Sequence, residues 1–487
     1  MNRQGWGYST VCRMLVAGAL LQGCAHTPPP APAPAVGITP LNQRQRAFLD
    51  TLEQRTFAFF WERSDTLTGL TPDRWPSPSF SSIAAVGFAL TAYPIGVERG
   101  YVSRADAAER VLRTLRFFWQ APQGSGPTDV SGNHGFFYHF LDMQHGYRYG
   151  TVELSTIDTA LLIGGALFCQ SYFTAPDDRE AAIRSYAESL YARVDWHWAQ
   201  ADYPLISHGW TPESGFISYD WSGYNEAMLV YLLALGSPTH PVERNAWDTW
   251  TAPYRWGRHY GSLEHVGFGP MFGHQYTHLW IDFRGIQDQY MQSRGIDYFE
   301  NSRRQTYAQR AYAVANPGEW VGYGADAWGL TSSDGPGDLP LTIRGRPRAF
   351  FGYAARGTSF TEVRDDGTLA PTAVAGSVPF APEITIPTLI AMRERYGDHL
   401  FGAYGFLDAF NPTLTVEAPV SLGRVVPGEG WFDTDYVGID QGPIVAMLEN
   451  YRSELVWRVM QRNPHVLQAL RRAGFSGGWL ARPVVMR

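Results

Sequence analysis

The segment Gly135–Leu162 reads GFFYHFLDMQHGYRYGTVELSTIDTALL. It crowds aromatic rings together with His139, Asp142, His145, Arg148, Glu153 and Asp158, directly ahead of an apolar run. Ser155 followed three residues later by Asp158 is a capping-box pattern, so a helix is expected to start there. Glu153 then falls just outside that helix, in a loop rich in rings and hydrogen-bonding groups. A carboxylate that cleaves sugars needs such surroundings.

Outward from this start, apolar residues recur at helical spacing along the chain. Arg44–Glu62 carries Phe48, Leu49, Leu52, Phe59 and Phe60 in that rhythm; Ser81–Glu98, Arg104–Gln120, Ser155–Tyr172 and Asp178–Trp198 follow. Gly223–Leu235, Pro241–Trp250, Thr277–Tyr290, Asn301–Ala315, Pro382–Tyr396, Pro443–Met460 and Pro464–Ala473 complete the set. Long Gly/Pro/aromatic loops join them, and alternating stretches are few. The expected fold class is all-α, with a dozen helices in alternating pairs, the count of an (α/α)6 barrel. Arg348–Tyr353 and Leu414–Glu417 are candidates for a small accessory sheet. No repeat of 30–45 residues is visible, which argues against a solenoid.

The acids gather at helix starts. Glu153 and Asp158 bracket one; Glu226, in Gly223-Tyr224-Asn225-Glu226, is expected in the first turn of another. Asp440 precedes Gln441-Gly442-Pro443, and Glu383 follows Pro382; proline favours the first helical position. Each acid alone could simply complement a helix dipole. In a barrel of alternating helices, however, the inner helices begin at one end, and several of these acids would face one mouth.

The N-terminus reads as targeting rather than fold. Arg3 and Arg13 precede a short apolar core, Met14–Leu21, and Leu21-Gln22-Gly23-Cys24 matches a bacterial lipobox. Residues 1–23 are expected to be a lipoprotein signal peptide, with Cys24 acylated and residues 24–40 a Pro-rich linker. Ala25 after the cysteine fits outer-membrane sorting, so a lipid-anchored protein facing the periplasm is expected. Residues 41–487, about 450 in number, could be two or three domains on length, but no internal linker divides them and one domain is expected. Cys169 is then the sole remaining thiol, which excludes an intramolecular disulfide and a cysteine zinc cluster.

Every basic residue is arginine. The absence of lysine excludes a P-loop and Schiff-base chemistry. A net charge of −7 without a basic run argues against nucleic acid as a ligand. Aromatics form 14% of the chain, many of them beside Gly and polar residues in loops, where flat rings with polar handles can stack on sugars. His274 and His278 stand four apart, but Gln275 occupies the place of a metalloprotease glutamate, so no metal is expected. Trp328-Gly-Leu-Thr-Ser-Ser-Asp334 and Gly430-Trp431-Phe432-Asp433 are further aromatic–acid loops. No G-x-S-x-G elbow is present.

Taken in order, Glu153-Leu-Ser-Thr-Ile-Asp158-Thr-Ala-Leu-Leu, Tyr224-Asn-Glu-Ala227, Trp328-Gly-Leu330, Tyr404-Gly-Phe406 and Gly438-Ile-Asp-Gln-Gly-Pro443 resemble the glycoamylase-like family. That family includes bacterial endo-β-1,2-glucanases and is related to domains of cyclic β-1,2-glucan synthases. The resemblance spans Phe48 to Arg472. It implies an (α/α)6 barrel and hydrolysis or transfer of β-glucosidic linkages, with β-1,2-glucan as the substrate; no cofactor is expected.

A two-carboxylate mechanism is expected, with Glu226 as the acid and Glu153 or Asp158 as its partner. Glu153 is favoured because Asp158 has a capping role available; Asp440 is the reserve base. Expected substrate contacts are His139, Asp142, Trp210, Tyr224, Tyr276, Trp280, Asp282, Trp328, Asp334, Glu383, Trp431 and Gln441. The chain is expected to act as a monomer. Two rival readings are a phosphorylase or transglycosylase on the same barrel, and a glucan-binding lipoprotein without activity.

Overall fold

The computed structural model describes residues 41–481. The expected signal peptide, the expected acylation site Cys24 and the expected Pro-rich linker lie outside the described residues. The first helices are α1 (Gln43–Arg63), α2 (Ile83–Glu98), α3 (Arg104–Gln120), α4 (Thr156–Tyr172) and α5 (Asp178–Arg193). Next come α6 (Met228–Gly236), α7 (Arg244–Thr251), α8 (Tyr276–Trp280), α9 (Gln289–Arg294) and α10 (Tyr298–Ala315). The last are α11 (Pro371–Ala375), α12 (Pro382–Tyr396), α13 (Gly438–Ser453), α14 (Leu455–Met460) and α15 (Pro464–Arg472).

Their burial separates them into two sets. Every residue of α6, α8 and α11 is buried, and α2, α4 and α13 are buried almost all round. A helix apolar on all sides belongs inside a core. The helices α1, α3, α5, α7, α10 and α12 bury one face only. Inner and outer helices alternate along the chain. The first inner helix, α2, packs on α4 at one side and on the last inner helix, α13, at the other.

Close packing of α2 on α4 depends on glycine. A Cβ at Gly165 would stand 2.1 Å from the Gly87 carbonyl oxygen, and one at Gly87 would stand 2.3 Å from the Leu161 oxygen. Both contacts are with backbone, which cannot swing aside.

Short antiparallel strands tie the starts of the inner helices together. Arg74–Trp75 pairs with Tyr436–Val437, immediately before α13. Ser81–Ser82, immediately before α2, pairs with Phe140–Leu141. Phe137–Tyr138 pairs with Leu154–Ser155, immediately before α4, and that strand pairs in turn with Gly209–Trp210. These last strands belong to a five-stranded sheet.

The all-α expectation is therefore corrected: helices carry the core, but many short strands organise one end of it. The accessory sheet is also elsewhere than expected. Arg346–Phe350 only forms a hairpin with Leu339–Ile343, and Leu414–Glu417 is not a strand. Thr277–Tyr290 is not one helix, because Asp282 accepts from the Arg284 N–H in a tight turn and Gly285 has φ of +73°. Glu454, at φ +58°, separates α13 from α14, and α13 begins at Gly438, with Pro443 inside it.

Candidate active site

The quoted segment contributes a three-residue unit. His139 Nδ1 lies 2.8 Å from Glu153 Oε1, and its Nε2 lies 3.6 Å from Asp158 Oδ2. Strand pairing sets this up: the His139 N–H donates to the Glu153 carbonyl at 2.9 Å. Ser155 caps α4 by accepting from the Asp158 N–H, and its hydroxyl donates to Asp158 Oδ2 at 2.5 Å. Burial disfavours charge on His139, but Asp158 and the bond to Glu153 overcome it and raise the imidazole to about 9. Glu153 is the reciprocal case. Burial would raise it, yet the His139 bond and charge hold it below the usual carboxylate range. Glu153 and His139 are thus an ion pair. Trp210 stands half-buried in the sheet, opposite Leu154.

Glu226 is different. It lies in a turn two residues before α6 rather than within that helix. Its Oε2 is buried and accepts no hydrogen bond from the described residues. Burial, with the charge of Asp158 adding to it, pushes the carboxyl up to about 7. Tyr224, two residues earlier in the chain, has its ring 4.8 Å from His274 and stacked 6.0 Å from Tyr298.

The third group is centred on the start of α13. Asp440 meets Asp408 carboxyl to carboxyl, and its Oδ2 is buried without a donor among the described residues. Burial pushes Asp440 up to about 7, the bond from Asp408 works the other way, and Asp334 and Asp73 add to the rise. Asp408 goes well above the usual range, through burial and the charges of Asp440 and Asp334. Asp334, Asp408 and Asp433 hold carboxylate oxygens within 4.8 Å of one another. The counter-cation at this cluster is the Arg74 guanidinium, whose Nη1 lies 2.6 Å from Asp334 Oδ2.

Tyr276, at the start of α8, links the groups, because its hydroxyl feels the charges of Asp440, Glu226 and Asp158 together. Tyr353 has an exposed ring, and its hydroxyl feels Asp440, Asp408, Asp73 and Asp334. Gln441 donates to the Phe406 carbonyl at 3.0 Å and leaves its Oε1 buried without a partner among the described residues. The structure therefore brings Glu153, Asp158, Glu226, Asp440, His139, Trp210, Tyr224, Tyr276, Asp334 and Gln441 to one end of the inner helices.

Other expected contacts lie elsewhere. Trp280, Trp328 and Trp431 are core residues, their indole N–H groups donating to Thr91 Oγ1, Thr388 Oγ1 and the Leu422 carbonyl. Asp282 follows the C-terminal end of α8 and forms an ion pair with Arg284. Glu383 is on an outer helix, paired with Arg303 and Tyr307. Asp142 spends its carboxylate on the N–H groups of Gln144, His145 and Tyr147. His274 and His278 are buried, and burial lowers each to about 3, as neutral core imidazoles.

Sequence reasoning missed Asp73, Arg74, Tyr353 and Asp408. No local signal marked them: Asp73 and Arg74 stand nine and eight residues before the Ser82 cap of α2, whereas Glu153 stands two before the Ser155 cap of α4.

Residues 218–464 match the model of the Glycoamylase family, described as “Putative glucoamylase”. A “putative glucoamylase” structure from Bacteroides uniformis is 30% identical, with a TM-score of 0.77 over 91% of this chain and 100% of that one. An endo-β-1,2-glucanase from Chitinophaga pinensis, solved with sophorotriose and glucose, is 28% identical, with a TM-score of 0.74 over 91% and 100%. An exo β-1,2-glucooligosaccharide sophorohydrolase from Parabacteroides distasonis is 27% identical over 470 residues. That alignment covers 90% of this chain but only 59% of the relative.

Proposed function

The chain belongs to the Glycoamylase family, and on that footing we propose that it is a glycoside hydrolase acting on β-1,2-glucan through an (α/α)6 barrel. One observation carries the chemistry: Glu226 has a buried, unpartnered Oε2 and a carboxyl raised to about 7. Such a group keeps its proton near neutrality and has an oxygen free to meet the leaving glycosidic oxygen.

Asp440 is the better partner for it. A base works best with a pKa near the operating pH, and Asp440 also stands at about 7 with a free oxygen. Glu153 is held low and already engaged by His139, so it orients the imidazole toward Asp158 and the substrate hydroxyls. With Asp440 drawing the proton from water, the reaction inverts the anomeric centre and releases the α-anomer. The chitinophagal relative supports internal cleavage of the glucan. The Parabacteroides relative supports a second mode, release of sophorose from the non-reducing end. Product lengths early in a digest separate the two.

The test is Glu226→Gln. Turnover on β-1,2-glucan should fall by about 10²–10⁴-fold, the usual worth of a general acid. Turnover should survive on an aryl β-1,2-glucooligoside, whose leaving group departs without a proton. Near-native turnover of the glucan by this variant would sink the assignment.

The lipobox at Leu21–Cys24 supports a lipid-anchored enzyme at the outer membrane, facing the periplasm.

A further inference from the structure

We propose that Arg74 is a positioning residue for this reaction, its guanidinium supplying the positive charge against which the buried Asp440 carries its negative one. The proposal rests on Asp440 being the base. Asp73, Asp334, Asp408, Asp433, Asp435 and Asp440 are all buried at this end of the inner helices. Six buried carboxyl groups cannot all ionise without counter-charge, because taking each ion from water costs several kcal/mol. Asp408 is hydrogen-bonded to Asp440 and Asp334 to Asp433, and a bond between two carboxyl groups requires a proton on one of them. Which oxygens keep the negative charge is decided by the cations present.

Arg74 is placed to decide it. Its Nη1 lies 2.6 Å from Asp334 Oδ2 and 4.0 Å from Asp435 Oδ2, and its Nε lies 3.3 Å from Asp73 Oδ2. Backbone pairing fixes it relative to the base. Arg74 is registered opposite Val437, three residues before Asp440, and the Gly438 N–H donates to the Asp73 carbonyl at 2.6 Å.

The nearest rival, Arg356, is committed elsewhere. It forks onto Asp366 at 2.7 and 2.8 Å and spends its remaining donors on carbonyls of Ser333, Asp334, Phe351, Gly352 and Ala354 and on the Ser333 hydroxyl. The groups facing Asp440 are Asp408, Asp334, Asp73 and Arg74 from neighbouring loops and the hydroxyls of Tyr353 and Tyr276. His139 faces Asp73 from the α4 side. Glu226 feels Asp158 instead, so loss of Arg74 should act on one of the two carboxyl groups only.

The experiment is kcat/KM against pH for Arg74→Met, Arg74→Lys and Asp334→Asn, on β-1,2-glucan and on the aryl substrate. In Arg74→Met the acid limb should move up by about one pH unit on both substrates, the scale of losing a nearby opposite charge, while the alkaline limb seen with β-1,2-glucan stays in place. Arg74→Lys, which keeps the charge, should return most of the shift. Asp334→Asn, which removes a negative neighbour, should move the acid limb down; it reads the same field should Arg74→Met fail to fold. An acid limb unmoved in Arg74→Met or in Asp334→Asn overturns the proposal. Asp440→Asn separates the two levels of the argument. If it keeps native turnover, the base assignment has failed; if it is inactive while the limbs do not move, only the role of Arg74 has.

Discussion

Glu226 and Asp440 hold protons near neutrality for a shared reason, which is burial with an oxygen left unsatisfied. Their requirements have opposite signs. Glu226 must be protonated, so activity should fall as pH rises through about 7; Asp440 must be ionised, so activity should fall as pH drops through about 7. A narrow bell centred near pH 7 in kcat/KM is expected, and a flat profile from pH 5 to 9 would contradict both roles. Glu53 shows the same physics away from the site. It is buried on α1 and pairs with Arg99 and Arg452, while Glu449 opposes its charge. Burial first, then Glu449, raises it from 4.5 to about 8. A carboxyl with a raised folded-state pKa contributes stability below its unfolded value and loses it as pH rises through the folded one. Thermal midpoints should therefore decline between pH 4.5 and about 8, and Glu53→Gln should flatten that decline. At this scale the sequence showed which acids stand near helix starts, but not which would be neutralised. Glu153 and Glu226 look alike as letters, and a histidine 14 residues away from Glu153 makes the difference.

Helix starts do most of the organising at the level of elements. Ser82, Ser103 and Ser155 cap α2, α3 and α4, and such caps can be read locally because side chain and backbone donor are three residues apart. The inner helices are also legible, as runs too apolar to leave one face in water. Two were missed or blurred, the five-residue α11 and α8, since one turn of helix has no period to detect. The contact between α2 and α4 makes a sharper prediction. Gly165→Ala places a methyl group against the Gly87 carbonyl. Overpacking of this kind costs about 1–3 kcal/mol, which urea or thermal melting of the variant should show. Unchanged stability would mean the two helices can separate without loss.

For the molecule as a whole, loops carry as much of the site as helices do. Arg356, fully buried, joins Asp366 to the carbonyls around Ser333 and Asp334 and so holds the loop that presents Asp334. Arg356→Met leaves Asp366 as an unpaired buried charge, which costs about 3–5 kcal/mol. A large fall in melting temperature is expected, and an unchanged one would show that solvent already reaches the pair. The expectation that Trp280, Trp328 and Trp431 stack on sugar failed for a reason that is also global. Trp328 and Trp431 stand beside glycine and Trp280 ends the short α8, and none of these settings tells from sequence whether a ring faces a cleft or the core; only the folded chain decides.

Local chemistry was enough for the helix starts, the inner and outer character of the longer helices, and the clustering of acids ahead of them. It was enough too for the family, which a solved structure 30% identical over 91% of the chain shows. Those properties depend on residues close together in the chain. Protonation of Glu226 and Asp440, the pairing that ties up Glu153, and the placing of Arg74 depend on groups up to hundreds of residues apart. Burial and field add up only after the chain closes on itself, so the tertiary structure alone decided which of the gathered acids could work.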